Sequence, residues 1–577
     1  MADFRRSIPL LAVVALLLGS AVAVSAQVNP AFQCVANAGV PPLIRSEGLT
    51  ELVGDLILNC NGGTPTPAGQ QIPPVNIQIF LNTSVTSRIL SGSLTEALLL
   101  LDDPGANNAA NPSQAPCPAV TCTNLGNGAG AGYYSGGGGN NVNVFQGQLV
   151  GTNSLLWLGV PIDPPGSTAT RIIRITNVRA NANALGVSGP NASPIPIIET
   201  ISATGTFSVP INNPNQTVAF IQKGLSFSVT TPKLLQQCFS QTLTKVGTLT
   251  YKELFATAFK QFNVGSSDSA PTAKVDQNNY NPSFNSETGF YNSAFGGTYT
   301  GAGLPDFGTR LKAVFNSVPT GVTLYVSPTN TTSGSDLARA VASEAGSYVA
   351  ATVGTNGAVQ VGLTAGTGQA VWEVTQSNAL AFATVTFDVF VSYTANPGAG
   401  SPALGTATVN GSYAPISTAT TATTGPIPRF ADTSTATDLF TINPCVTNLL
   451  FPFVTNQGGF DTGLAISSTS TDPFGTSPQS GPCTLNAYGA NAPAAITTPT
   501  VDSGTTYTAL ASAAMPNFQG YVIAVCQFQY AHGFAFISDL GARNLAMGYL
   551  ALIIPDPART PNPFPGAGNG SGEQLGY

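Results

Sequence analysis

A single histidine, His532, stands in 577 residues. That scarcity removes any multi-histidine zinc cluster and any HExxH site, which need two or three imidazoles around one metal. Charge is scarce too, at 8% Asp, Glu, Lys and Arg, with 19 cations against 26 anions and a formal net charge of -7. So few cations argue against a nucleic-acid partner, which needs a basic footprint. No serine sits in GxSxG, so the nucleophile elbow of an α/β-hydrolase is missing. The glycines of 126–139 lack Lys or Arg and match neither GxGxxG nor GxxxxGK[ST], so they form no phosphate cradle. After residue 26 no apolar run approaches the roughly 18 residues of a membrane helix. The run YLALII at 549–554 is strand-sized.

What is present begins with an address. Residues 1–26 carry Arg5 and Arg6, then IPLLAVVALLLGSAVAV, then VSA before Gln27. This order of charged, apolar and small residues reads as a secretory signal peptide. The first cysteine, Cys34, lies too far downstream for a lipoprotein anchor. Hydrophobic residues make up 43% of the chain, enough to build cores despite the low charge. Solubility must then rest on hydroxyls and amides.

Eight cysteines behind a signal peptide read as disulfides. Proximity pairs Cys34 with Cys60, and Cys117 with Cys122 across PAVT. In GPCTLNAYG and YVIAVCQFQY the period-two alternation sets Cys483 and Cys526 on the apolar faces of two strands. That leaves Cys238 for Cys445.

Short β-branched and aromatic runs, punctuated by Gly, Pro and Asn, recur along the chain and predict an all-β, multi-domain protein of immunoglobulin-like or related β-sandwiches with a few short helices. An N-terminal β-rich domain is expected over 27–231, with a turn or two of helix at SLTEALLLL and a long loop from 102 to 141. A middle sandwich over 232–414 opens on YKELFATAFKQF as a helix. It then includes AFATVTFDVFVSYTA, where Val385, Phe387, Val389 and Val391 alternate with polar residues. The stretch 415–439 lacks periodicity and reads as a Thr-rich linker. A C-terminal sandwich over 440–554 and a disordered Pro/Gly tail over 555–577 complete the chain.

The segments LLFPFVTNQGGFDTGLAISSTSTDPFGT, GPCTL and FQGYVIAVCQFQYAHGFAFISD resemble the C-terminal module of large secreted proteins of acidobacterial type. CVANAGVPPLIRSEGLTELVGDLILNCNGG and WLGVPIDPPGSTATRIIRITNVRANANALGV are similar to the front halves of such proteins. The resemblance implies a bacterial surface or extracellular protein and brings no activity or functional residue with it.

Three functional readings follow. The first is a non-enzymatic surface protein with a structural, matrix or adhesive role, needing no cofactor and no metal. The second is a carbohydrate-binding protein contacting a surface glycan or matrix component through aromatic side chains. Tyr133 and Tyr134, beside a polyglycine run, are the candidates, whereas Trp157 and Trp372 lie in apolar strands and read as core. The third is a glycan-degrading enzyme using two loop carboxylates from Asp102, Asp103, Asp276, Glu287, Asp306 and Glu373. His532 reads as a structural imidazole near a strand end, and DQNNYN lacks the spacing of an EF-hand.

Overall fold

The computed structural model describes residues 30–103, 105, 114–130, 141–186, 193–262, 286–291, 301–332, 337–395, 400–473, 476 and 478–554. The expected leader at 1–26, Tyr133, Tyr134, Asp276 and residues 555–577 lie outside them. The chain is all-β, with helix confined to a 3-10 turn at Asn183–Leu185 and one turn at Ala511–Ala514 among the described residues.

The first unit is built on a twelve-stranded sheet, with Glu51–Leu52 and Arg179–Ala180 paired separately beside it. Its spatial order is Ile211–Asn212, Gln33–Ala38, Leu56–Gly62, Gly166–Thr176, Leu94–Leu101, Val144–Leu149, Ser154–Pro161, Pro74–Leu81, Ile195–Gly205, Asn215–Gln222 and Leu43–Arg45, with Ile89–Ser91 paired beside Leu94–Leu101. Alternation explains which way each strand faces. In Pro74–Leu81, Val75, Ile77, Ile79 and Leu81 are buried while the residues between them are not. Inward residues from both ends of the sheet, such as Cys34 and Ile44, share one core with Trp157, so the sheet rolls over on itself.

Where a helical turn was expected, Leu94–Leu101 is a strand. Its apolar run is buried on both sides, a pattern that periodicity does not separate from a buried helix. Ala97, Leu99 and Leu101 enter the main core. Leu98 and Leu100 face the other way, against Phe290 and Ala302.

The second unit is a two-sheet sandwich. Leu225–Val229, Gln241–Glu253, Thr384–Tyr393, Thr323–Val326 and Val359–Val361 form one sheet. Lys233–Gln236, Thr437–Asn443, Gly405–Ala414, Arg310–Asn316, Gly368–Gln376 and Leu337–Val341 form the other. Trp372 from the second sheet stacks on Phe387 from the first at 4.1 Å between ring centroids. Three expectations are corrected. The unit begins before 231, because Leu225 belongs to its core and Phe227 and Val229 pack against that core. YKELFATAFKQF continues the strand Gln241–Glu253 and then turns, the turn held by the Glu253 carboxylate accepting from the backbone N–H of Phe259 and Ala383. And Thr437–Asn443 closes this unit by pairing with Gly405–Ala414, so the third unit starts after residue 443.

The stretch 415–439 is not a free linker. Ile427 and Phe430 are fully buried, and Phe430 stacks on Tyr413 at 4.7 Å. Its backbone is satisfied by the first unit: Leu49 N–H donates to Arg429 O and Ala431 N–H to Glu47 O, each at 2.9 Å. A segment with little periodicity can still be ordered when its few large side chains and its backbone groups all find partners elsewhere.

The third unit packs a five-stranded sheet, Ile496–Thr497, Cys483–Ala490, Gln519–Cys526, Thr447–Thr455 and Leu552–Ile553, against a four-stranded one, Thr506–Leu510, Asp461–Ser468, Ala531–Ser538 and Ala546–Leu550. The inner faces interdigitate most closely at Gly533, where a Cβ would lie 2.7 Å from the Phe451 ring and from the Ala551 methyl. Disulfides join Cys34–Cys60, Cys117–Cys122, Cys238–Cys445 and Cys483–Cys526. The third of these ties the second unit to the start of the last.

Candidate functional site

Five of the six acids that could serve a glycosidase are among the described residues, and these are engaged elsewhere. Asp102 pairs with the fully buried Arg171, Glu373 with Arg310 at 2.8 Å, and Asp306 with Arg88. Asp103 accepts from the Gln114 amide at 3.2 Å, and burial pushes its carboxyl up. Glu287 is held by Arg45 at 2.8 Å. Burial alone would raise the Glu287 carboxyl, yet the adjacent Arg45 and Lys260 cations bring it below its ordinary value. These five carboxylates are thus buried or half-buried ion-pair and hydrogen-bond partners rather than acids across an open cleft. The reason is desolvation: an acid that stays ionised inside the first two units needs a cation or donors there. Arg45 shows how. It binds Glu51 through Nε at 2.9 Å, Thr309 Oγ1 through Nη1 at 2.8 Å and Glu287 through Nη2 at 3.1 Å, and lies 4.8 Å from the Phe430 ring centroid.

The third unit is built the opposite way. Residues 445–554 contain Asp461, Asp472, Asp502, Asp539 and Arg543 as their only charged side chains. Asp461 and Asp539 are spent on turns, accepting from Ser512 and from the N–H groups of Gly541 and Leu545. Against this, eleven of the twenty-four exposed large hydrophobic side chains among the described residues lie in this unit. Exposed apolar side chains are therefore concentrated on this unit.

On the outer face of the four-stranded sheet the exposed positions form a groove. Gly463 and Ala465 floor it. Leu510 and Thr508 stand opposite them on one side, Phe536 and Phe534 on the other, by the strand register. The cavity holds about 370 Å³. A Cβ at Gly463 would meet nothing nearer than 3.8 Å, so the floor is open. The next register row is polar, Thr506, Ser467 and His532, and the two hydroxyls bond each other at 2.8 Å. His532 is exposed on this outer face, second in its strand.

On the opposite outer face, Tyr488 and Tyr521 are register partners whose rings stack at 5.0 Å and 17°. They are 45% and 42% exposed. A bulge between Phe451 and Val454 in the adjoining strand leaves Phe453 exposed beside them. Together these residues form an aromatic ridge.

No protein-family model and no curated protein matches the chain. Among solved structures it is similar to the BcpA major pilin subunit of Bacillus cereus, at 7% identity and a TM-score of 0.17, over 82% of this chain and 94% of that one. It is also similar to a biofilm-associated protein BSP domain, at 7% identity and a TM-score of 0.15 over 90% and 95% of the two chains. A third is the T6 backbone pilin of serotype M6 Streptococcus pyogenes, at 8% identity and 0.16 over 85% and 81%. Superpositions at this level define no shared topology, and no role is taken from them.

Among the described residues the groove itself is lined by no carboxylate, and Ser467, Thr506 and His532 adjoin it. Among the described residues no group of three or more His, Cys, Asp or Glu side chains is placed to hold a metal ion. Sequence reasoning looked to loop aromatics and missed both faces. The available signal was HGFAFIS, in which small residues alternate with phenylalanines. The usual assignment points the phenylalanines inward. Here Gly533 and Ala535 face the core, because Phe451 and Leu449 from the facing sheet already fill that space.

Proposed function

We propose that the chain is an exported, non-enzymatic protein with a structural, matrix or adhesive role at the bacterial surface, and that its C-terminal unit is the part that makes contact. The observation that carries this is the pairing of two apolar outer faces with near absence of charge on one small sandwich. The four disulfides of the whole chain fit an oxidising compartment. The leader at 1–26 and the resemblance to secreted proteins of acidobacterial type support export. The first two units, joined by buried ion pairs and by the packed 415–439 segment, supply a stiff base.

The test uses the mature full-length chain and a Phe534→Ser/Phe536→Ser variant, compared for retention on cells and for hydrolysis of a polysaccharide panel. Retention that falls in the variant, with no turnover in either protein, is expected. Turnover by the wild-type chain, or retention indifferent to both phenylalanines, overturns the reading.

A further inference from the structure

The two outer faces of the C-terminal unit are apolar in different ways and lie on opposite sides of one sandwich. One carries a ridge, Tyr488 and Tyr521 with Phe453 beside them; the other carries a groove floored by Gly463 and Ala465 between Leu510 and Phe534/Phe536. We infer that the ridge of one copy seats in the groove of a second copy, so that the chain associates head to tail. This deepens the structural-matrix reading and rests on it.

Three observations select a second copy as the occupant. Charge is the first. Neither the groove lining nor the Tyr488/Tyr521/Phe453 ridge carries a charged side chain, so seating one in the other sets no like charges face to face. A partner steered by charge would find no complementary field. Shape is the second. The contact is heterologous, since the two patches differ, and a heterologous contact that does not close into a ring propagates as an open series.

The third is the state of the polar groups around both patches. A sugar site needs a few free, convergent donors and acceptors beside its aromatic platform. Here the Asn486 amide donates to the carbonyls of Thr484 and Ile523 at 3.3 Å, and Ser467 and Thr506 are bonded to each other. The stacked tyrosines also occupy part of each other's ring faces. The surroundings suit a dry apolar contact better than an orienting contact with hydroxyls.

Size sets the expected strength. Four strands about 4.8 Å apart and about eight residues of 3.3 Å long give a face of no more than roughly 500 Å². That is below the roughly 800 Å² per partner of a stable standard interface. One contact is therefore weak, and repetition along an array supplies the avidity.

The experiment is sedimentation velocity on the mature, disulfide-intact full chain over rising concentration. Wild type should shift progressively to larger species. Tyr521→Lys, which spoils the ridge, and Phe534→Lys, which spoils the groove, should each stay at the monomer value. Mixed in equal amounts they should give a dimer and nothing larger, because one retains its groove and the other its ridge. Both positions are solvent-exposed, and Tyr521→Ser with Phe534→Ser repeats the test should either lysine variant fail to fold. A mixture that stays monomeric, single variants that still polymerise, or a closed wild-type dimer overturns the inference. A wild-type monomer that instead shifts on adding a soluble neutral glucan would assign the tyrosines to sugar binding. If the wild-type chain stays monomeric at every concentration yet is retained on cells, the head-to-tail contact falls while the surface role stands.

Discussion

Glu199 offers the sharpest test of how the first unit is held together. Its side chain points inward from the strand Ile195–Gly205, between the buried Ile197 and Ile201, and is itself fully buried. Neither carboxylate oxygen has a hydrogen-bond partner. Burial, and secondarily the nearby Asp55, pushes its pKa from the ordinary 4.5 up to about 8. The folded state thus binds a proton that the unfolded chain has released over that whole interval. The stability this contributes is complete below pH 4.5, falls as pH rises and is gone above about 8. At about 1.4 kcal/mol per unit, the total is roughly 5 kcal/mol. The perturbation is Glu199→Gln, which keeps the shape and removes the titration. Trp372→Phe in both proteins leaves Trp157 as the only tryptophan, so its fluorescence reports the first unit alone. Urea midpoints are then measured from pH 5 to pH 9. The Glu199 protein should lose stability with rising pH relative to Glu199→Gln, while Glu47, Asp103, Asp306 and Glu373, also raised by burial, cancel in the difference. Parallel pH profiles in the two proteins would refute a buried, neutral Glu199.

Arg45→Met should leave Glu51 and Glu287 buried without their main cation and cost roughly 3–5 kcal/mol; adding Glu287→Gln should recover part of that loss, read as non-additivity in thermal unfolding. Gly533→Val puts a branched side chain where a Cβ already lies 2.7 Å from Phe451 and Ala551, and should cost about 1–3 kcal/mol by overpacking, seen in denaturation followed by circular dichroism. Replacing Cys483 and Cys526 together by Ala should cost roughly 2–5 kcal/mol, and non-reducing peptide mapping of the wild type should recover the two linked to each other. His532→Ala, on an exposed strand position, should leave thermal stability within about 0.5 kcal/mol of wild type.

Local alternation was enough to read the strand class, because a residue's face in a strand depends only on its immediate neighbours. It placed Val385, Phe387, Val389 and Val391 on one buried face and set Cys483 and Cys526, which are register partners, on inward faces. Composition likewise announced that charge would be rare. What alternation does not carry is the identity of the facing surface. Leu94–Leu101 is a strand because second-unit residues cover its far side. Residues 415–439 are ordered because Tyr413, Arg45 and the backbone of the first unit receive them. Asp102, Glu287, Asp306 and Glu373, which looked like loop acids, became ion-pair partners for arginines distant in sequence. Phe534 and Phe536 face outward because Phe451, Leu449 and Ala551 claim the interior opposite Gly533. Each of these outcomes depends on contacts between residues far apart in the chain, where volume and desolvation, not local preference, choose between two faces that the sequence leaves equivalent.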